Sequence, residues 1–290
     1  MVALKKQLVA YQGVPGAYSN IAAEAVFPKL PSKGFATFED VVRAVQRGKT
    51  VYALLPIENS TAGRVADIHH LLPGSGLTIA AEYFQPVRHC LIAYKGTLLK
   101  DIRRIYSHRE ALTQCARYIR KLGVEPVPFG DTAGAVKHIV SEKRTDIAAL
   151  ASAKAASLYR GAVIVQKEVQ DDPDNVTRFL ILTKNGHKKA LTKNVITSIV
   201  YKTRDVPAAL FKTLSGFATT GTNMIKLESF VPMARHTDAH FYLEFEGNPT
   251  VYPSTIALEE LQYYTRSFEI LGTYPKSPYR KKFNGMGKKS

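Results

Sequence analysis

Apolar residues in the first two thirds of the chain fall into short runs that alternate with helical repeats. VAYQG (9–13) reads as a strand ending at a glycine, and SNIAAEAVFP (19–28) as a helix with Ser19 as a cap candidate and Pro28 as its stop. FEDVVRAVQRG (38–48) spaces its apolar positions as an amphipathic helix and closes at Gly48. YALLPIEN (52–59), CLIAY (90–94), IRRIYSH (102–108), VEPVPF (124–129) and DIAALAS (146–152) read as short strands. A helix is expected from Val65 to Leu72. Further helical patterns are REALTQCARYIRKLG (109–123), TAGAVKHIVSEK (132–143) and AKAASLYR (153–160), and the polar start of DNVTRFLIL (174–182) leads into a buried strand. This alternation predicts α/β layers with mostly parallel sheets.

KNGHKKALTKN (184–194) breaks the rhythm as a polar, basic linker. NVITSIVYKT (194–203) is then a strand, and VPAALFKTLSGFATTG (206–221) a helix with Pro207 in its first turn and Gly221 just past its end. NMIKLESFV (223–231) and DAHFYLEFEG (238–247) alternate like two strands of an antiparallel sheet. STIALEELQYYTRS (254–267) is an amphipathic helix and FEILGTYP (268–275) a last strand. The order βαββαβ is the ferredoxin-like plan. The chain is therefore expected to hold domains at 1–184 and 194–275, followed by a basic tail, 276–290, expected to be disordered.

With 45% hydrophobic and 22% charged residues among 290, the composition is that of a globular protein with a substantial core. No apolar run is long enough to span a bilayer, and the opening residues do not form a signal peptide. Together with only two cysteines, this predicts a reducing cytoplasm, with Cys90 and Cys115 as small core residues. The net charge of +16 allows nucleic acid, a membrane surface or an anionic substrate as partner. Part of it lies in the tail, and neither zinc-ligand spacing nor an RNA-recognition run is present. The expectation is a solvated basic surface, with no nucleic acid and no membrane.

Polar clusters recur just beyond strand ends, where α/β sheets gather ligands. They are Gly13 to Ser19, Pro56 to Gly63, Ser107 to Glu110, Asp131 to Gly134, and Thr177-Arg178. Each also fits a plain capped turn, and His108 fits either an acid–base role or a helix start. Thr177 offers a hydroxyl and Arg178 a fork for a carboxylate. Taken together, the residues point to a small-anion site built from hydroxyl, amide and guanidinium donors.

In their order, these clusters resemble prephenate dehydratase with a C-terminal ACT domain. GVPGAYS (13–19) is similar to the family's Gly-x-x-Gly-Thr-Phe-Ser, and Pro56-Ile57-Glu58-Asn59-Ser60 matches outright. SHREALTQC (107–115) resembles Ser-His-Pro-Gln-Ala-Leu-x-Gln-Cys, with Arg109 and Glu110 departing from the commonest form. DTAGAV (131–136), AALASAKAASLY (148–159) and NVTRF (175–179) follow in order. The resemblance implies a two-lobed catalytic domain like a type II periplasmic binding protein. It implies loss of carbon dioxide and the ring hydroxyl from prephenate, with no cofactor and no metal.

On the same basis Thr177 carries over as the essential hydroxyl, and Asn59, Ser60, Ser107, Gln114, Thr132, Arg178 and Phe179 as substrate-binding candidates. Arg178 also suits a brace within the lobe, and Phe179 a place in the core. The ACT resemblance implies L-phenylalanine as effector at Ala208, Ala209, Leu210, Asn223, Met224, Leu227, Glu228 and Ser229, and a homo-oligomer formed through these domains. Ala208 stands where the family usually has Gly, and Phe230-Val231-Pro232 replaces its Arg-Pro. Arogenate, the aminated analogue, is the alternative substrate, and a non-catalytic amino-acid sensor the alternative class.

Overall fold

A computed structural model describes residues 7–186, 193–231 and 239–281. In chain order the first elements are β1 (Val9–Gln12), α1 (Tyr18–Val26), β2 (Ser32–Phe35), α2 (Phe38–Gln46), β3 (Tyr52–Asn59), β4 (Gly63–Arg64), α3 (Ala66–Leu71), β5 (Thr78–Pro86) and β6 (Cys90–Tyr94). After a 3-10 turn at Leu99–Asp101 come β7 (Arg104–Ser107), α4 (Arg109–Gln114), α5 (Ala116–Leu122), β8 (Glu125–Pro128), α6 (Thr132–Glu142), β9 (Ile147–Ala151), α7 (Ala153–Ser157), β10 (Ala162–Gln166) and β11 (Val176–Thr183). The last elements are β12 (Val195–Thr203), α8 (Ala209–Thr220), β13 (Met224–Phe230), β14 (His240–Glu246), α9 (Ser254–Tyr263) and β15 (Thr265–Pro275).

Two compact units result, each assembled from three chain segments. The first takes the chain up to Val41, Pro56–Val65 and Phe84–Phe179; the second takes Val42–Leu55, Ala66–Tyr83 and the chain from Leu180. Neither unit is contiguous, so the division does not follow the expected boundary at 184–194. Strands β3, β5 and β11 each contribute residues to both.

In the first unit, β1 and β2 pair in parallel and are joined by the ends of β3 and β5 and the start of β11, in the order β2-β1-β3-β11-β5. A second sheet runs β10-β6-β9-β7-β8. Its central strands are buried on both faces, and their alternation shows how. Cys90, Ile92, Ala149 and Ala151 pack with Ala133, Val136 and Ile139 of α6, whereas Leu91, Ala93, Ala148 and Leu150 pack with Leu112, Cys115 and Ile119. Such sandwiching explains why CLIAY and IAALA are apolar throughout rather than at alternate positions. The sheet is mixed rather than mostly parallel: β6 is antiparallel to both β9 and β10, while β7 is parallel to β8 and β9. Hydrophobic runs report burial, and strand direction leaves no mark in them. The expected helix 109–123 is two helices that meet at Cys115, whose φ of −118° is not helical.

The second unit carries the βαββαβ plan, with strand order β13-β14-β12-β15 and antiparallel pairs throughout. Ile199, Tyr201, Leu243 and Phe245 bury one sheet face against Phe217 of α8 and Ala257, Leu258 and Leu261 of α9. Pro207 lies ahead of α8 rather than in its first turn, because Ala208 caps the helix in the left-handed region at φ 57°. Residues 276–281 depart from the expected disordered tail. Ser277 N–H donates to Glu82 Oε1 at 2.9 Å, and Arg280 forks the same carboxylate at 2.8 and 2.7 Å. A buried carboxylate needs such a cation, which holds this segment in place. Lys282, Lys288 and Lys289, like the rest of the expected tail, lie outside the described residues, as do Pro232 and 187–192 of the linker. Among the described residues, no helix is long and apolar enough to cross a membrane.

Candidate active site

The end of β3 and the start of β11 are held together through Ser60. Its N–H donates to Val176 O at 2.9 Å, and its hydroxyl oxygen accepts from Val176 N–H at 3.0 Å. This places Asn59 beside Thr177. Asn59 Oδ1 accepts from the amides of Thr61 (3.0 Å) and Ala62 (2.8 Å), so the carboxamide has one orientation. Its Nδ2 therefore points toward Thr177 Oγ1 at 3.0 Å, with Asn175 Oδ1 at 2.8 Å and Val176 O at 3.1 Å. Thr177 is half-buried, and its oxygen accepts from Asn59. A hydroxyl has a single proton, and here that proton is left to donate elsewhere.

Thr177 and Asn59 line a cleft of about 370 Å³ inside the first unit. The loop from Gln12 to Val14 and the first turns of α1 and α6 form part of its wall, together with Val65, Val87, His89, His108, Glu110 and Gln114. First-turn amides have no partner within their own helix and so favour anionic ligands. Gly34 supports this wall: a Cβ there would come within 2.2 Å of Gly13 O, and Gly13 N–H donates to Phe35 O at 2.8 Å. Glu110 and Asp131 bring two carboxylates to the lining, whereas among the described residues no lysine or arginine belongs to it. This contrasts with the +16 of the whole chain.

His89 is buried, and its Nε2 lies 3.0 Å from Gln114 Oε1. Desolvation lowers its pKa, partly offset by the Gln114 bond. Tyr18 Oη donates to Arg88 O at 2.7 Å, and burial pushes this phenol well above its ordinary pKa.

Thr177, Asn59, Gln114 and Thr132 are thus gathered on one cleft, although 118 positions separate the first two in sequence. Other sequence candidates are placed differently. Ser60 ties β3 to β11. Ser107 is fully buried and donates to Leu150 O at 2.6 Å, and neither serine belongs to the lining. Arg178 is 1% exposed, with Nη1 3.0 Å from Glu58 Oε1, as a brace requires, and Phe179 is in the core. Sequence reasoning did not single out His89 for the cleft, whereas Tyr18 and Asp131 fall inside the clusters Gly13 to Ser19 and Asp131 to Gly134 without a role of their own. The one signal for His89 was a polar ring directly ahead of an apolar strand.

In the second unit, Ala209 lines a separate pocket of about 390 Å³ with Lys202, Arg204, Phe241 and Arg266. Ala208 and Leu210 flank Ala209 at the start of α8. Asn223 precedes β13, and Met224, Leu227, Glu228 and Ser229 lie along it, outside the lining of that pocket. Glu228 pairs with Lys226 at 2.7 Å.

The family model for prephenate dehydratase matches residues 9–187. A bifunctional N-acyl-homoserine lactone acylase/prephenate dehydratase from Komagataeibacter europaeus is 40% identical over 278 residues, covering 96% of this chain and 99% of that protein. The chloroplastic arogenate dehydratase/prephenate dehydratase 2 of Arabidopsis thaliana is 40% identical over 277 residues, covering 92% of this chain and 72% of that protein. The crystal structure of prephenate dehydratase in complex with L-Phe from Arthrobacter aurescens is similar with a TM-score of 0.85 at 25% identity, covering 97% of each chain.

Proposed function

This chain belongs to the prephenate dehydratase family, and we propose that its cleft converts prephenate to phenylpyruvate, water and carbon dioxide on the route to L-phenylalanine. Aromatisation of the ring drives the reaction, so no covalent intermediate is needed. Hydroxide is a poor leaving group and needs a donated proton or hydrogen bond as it departs. The observation that carries the reading is the Asn59–Thr177 pair, which leaves the threonine proton available at the cleft. The carboxylate that remains would be held by the first-turn amides of α1 and α6 and by Gln114, since Arg178 is engaged with Glu58. The purified protein mixed with prephenate, without added metal at neutral pH, should generate phenylpyruvate absorbance. No turnover refutes the proposal.

A second substrate is favoured by the charge of the wall. Glu110 and Asp131, with no lysine or arginine among the described lining residues, suit a substrate that brings its own ammonium, as arogenate does. Glu110→Gln should lower the arogenate-to-prephenate ratio of kcat/KM by about two- to fivefold, the scale of an exposed charge pair. An unchanged ratio removes this role.

The ferredoxin-like unit we read as an ACT domain that binds phenylalanine and joins copies of the chain. Support comes from the strand plan and from the L-Phe complex of the Arthrobacter aurescens enzyme. Ala208 adds a methyl where that resemblance expects glycine. Turnover measured with and without phenylalanine, alongside molecular mass in solution, tests both parts. The cytoplasm is the proposed compartment, in keeping with two unpaired, buried cysteines.

A further inference from the structure

The cleft wall holds a histidine that the proposed chemistry does not use. His89, just ahead of β6, is 2% exposed, and Gln114, at the end of α4, is 9% exposed. One segment positions both backbones. Val169 N–H donates to His89 O at 2.9 Å, His89 N–H donates to Gln170 Oε1 at 3.0 Å, and Asp171 N–H donates to Gln114 O at 2.7 Å. Pinned in this way, the two side chains meet at 3.0 Å.

Which nitrogen of His89 bears the proton decides what Gln114 shows the cleft. Burial disfavours the imidazolium, so the ring carries one proton near neutral pH. Nδ1 lies 3.4 Å from Tyr18 Oη, whose own proton goes to Arg88 O. The shorter contact, from Nε2 to Gln114 Oε1, takes the ring proton. Gln114 Oε1 is then an engaged acceptor, and its amide N–H groups are what remain for the cleft.

We infer that His89 is a positioning residue: it holds the Gln114 carboxamide so that its amide N–H groups, rather than its oxygen, meet a substrate carboxylate. This rests on the reading that a prephenate-type anion occupies the cleft. Without the His89 donor, the carboxamide can turn over and present oxygen to an anion. Tyr18 backs the ring without competing for its proton.

Two measurements test the inference. In the full-length protein with 15N-labelled histidine, long-range 1H–15N spectra at neutral pH should show His89 with Nε2 protonated and Nδ1 bare, the resonance being assigned by its loss in His89→Gln. A proton on Nδ1 alone overturns the inference, whether or not the protein turns over prephenate. In steady-state kinetics His89→Leu should raise KM by about ten- to a hundredfold, the worth of one hydrogen bond to a charged group, with kcat changed less. His89→Gln, which places an amide donor near the position of Nε2, should restore most of the KM. A purely structural role predicts equal losses in both variants, and that result also overturns the inference. If the wild type shows the expected tautomer yet does not act on prephenate, the substrate assignment fails and the geometry stands.

Discussion

Thr177→Ala removes one oxygen, and the surroundings of that oxygen set the expected outcome. Asn59 Nδ2 has two protons and three acceptors within reach, at 2.8, 3.0 and 3.1 Å. Losing Thr177 Oγ1 leaves Asn175 Oδ1 and Val176 O for those protons, so no buried donor is stranded. The stability cost should stay within about 1 kcal/mol, the net worth of one ordinary hydrogen bond. The rate should fall much further. A preorganised donor aimed at charge developing in the transition state is worth about 2.7–4 kcal/mol, or roughly 10²- to 10³-fold in kcat. KM should change little, because the interaction strengthens only as the hydroxyl leaves. Denaturant midpoint and phenylpyruvate formation, measured on the same preparation, separate the two effects. Thr177→Ser keeps the donor and should recover most of the rate. If folded Thr177→Ala retains turnover within a few-fold of wild type, or Thr177→Ser is as slow as the alanine variant, the hydroxyl is not the group that matters.

Other outcomes follow from burial and backbone geometry. Arg178→Met should destabilise by about 3 kcal/mol in denaturant unfolding, the lower end for a broken buried pair because Glu58 is 32% exposed; a raised KM with unchanged stability would instead return Arg178 to the substrate. Ala208→Gly should raise stability by about 1 kcal/mol, since φ 57° is unfavourable for a residue with a Cβ, and a loss would show that the methyl packs productively. Burial pushes the Cys115 thiol up to about 12 and raises that of Cys90 as well. Both should therefore resist thiol reagents at pH 8 and label only as the protein unfolds; rapid labelling of the native state would contradict their placement. His89, whose folded pKa is depressed, favours the folded state above the unfolded value near 6.5. That contribution should fade as pH drops below this value, and in His89→Gln this part of the pH dependence should disappear.

Much of the architecture was legible because its signals are local. Alternation marked the strands of the βαββαβ unit, continuous apolar runs marked β6 and β9, and Asp131 announced α6 as a cap whose side chain accepts from Gly134 N–H. Where locality fails, so did the reading. TIAAEYFQP forms β5 with buried positions three apart, at Ile79, Glu82 and Gln85, a spacing that is not strand alternation and that includes two polar residues; Glu82 reads as solvent-facing until Arg280 is known to reach it. SKGF and AVIVQ, which form β2 and β10, carry no fully buried position, so neither stands out as a strand of the core.

The sequence by itself determined the kinds of elements, the βαββαβ plan and the placing of polar clusters at strand ends, since period, caps and turns act over a few residues. Tertiary structure alone decided which clusters share a cleft. It paired Arg178 with Glu58, 120 positions away, and set Thr177 on one cleft with the first turns of α1 and α6. It also set His89 against Gln114. A side chain's chemistry is written in its type, but the partner that consumes or frees its proton is chosen by distances that only the folded backbone defines.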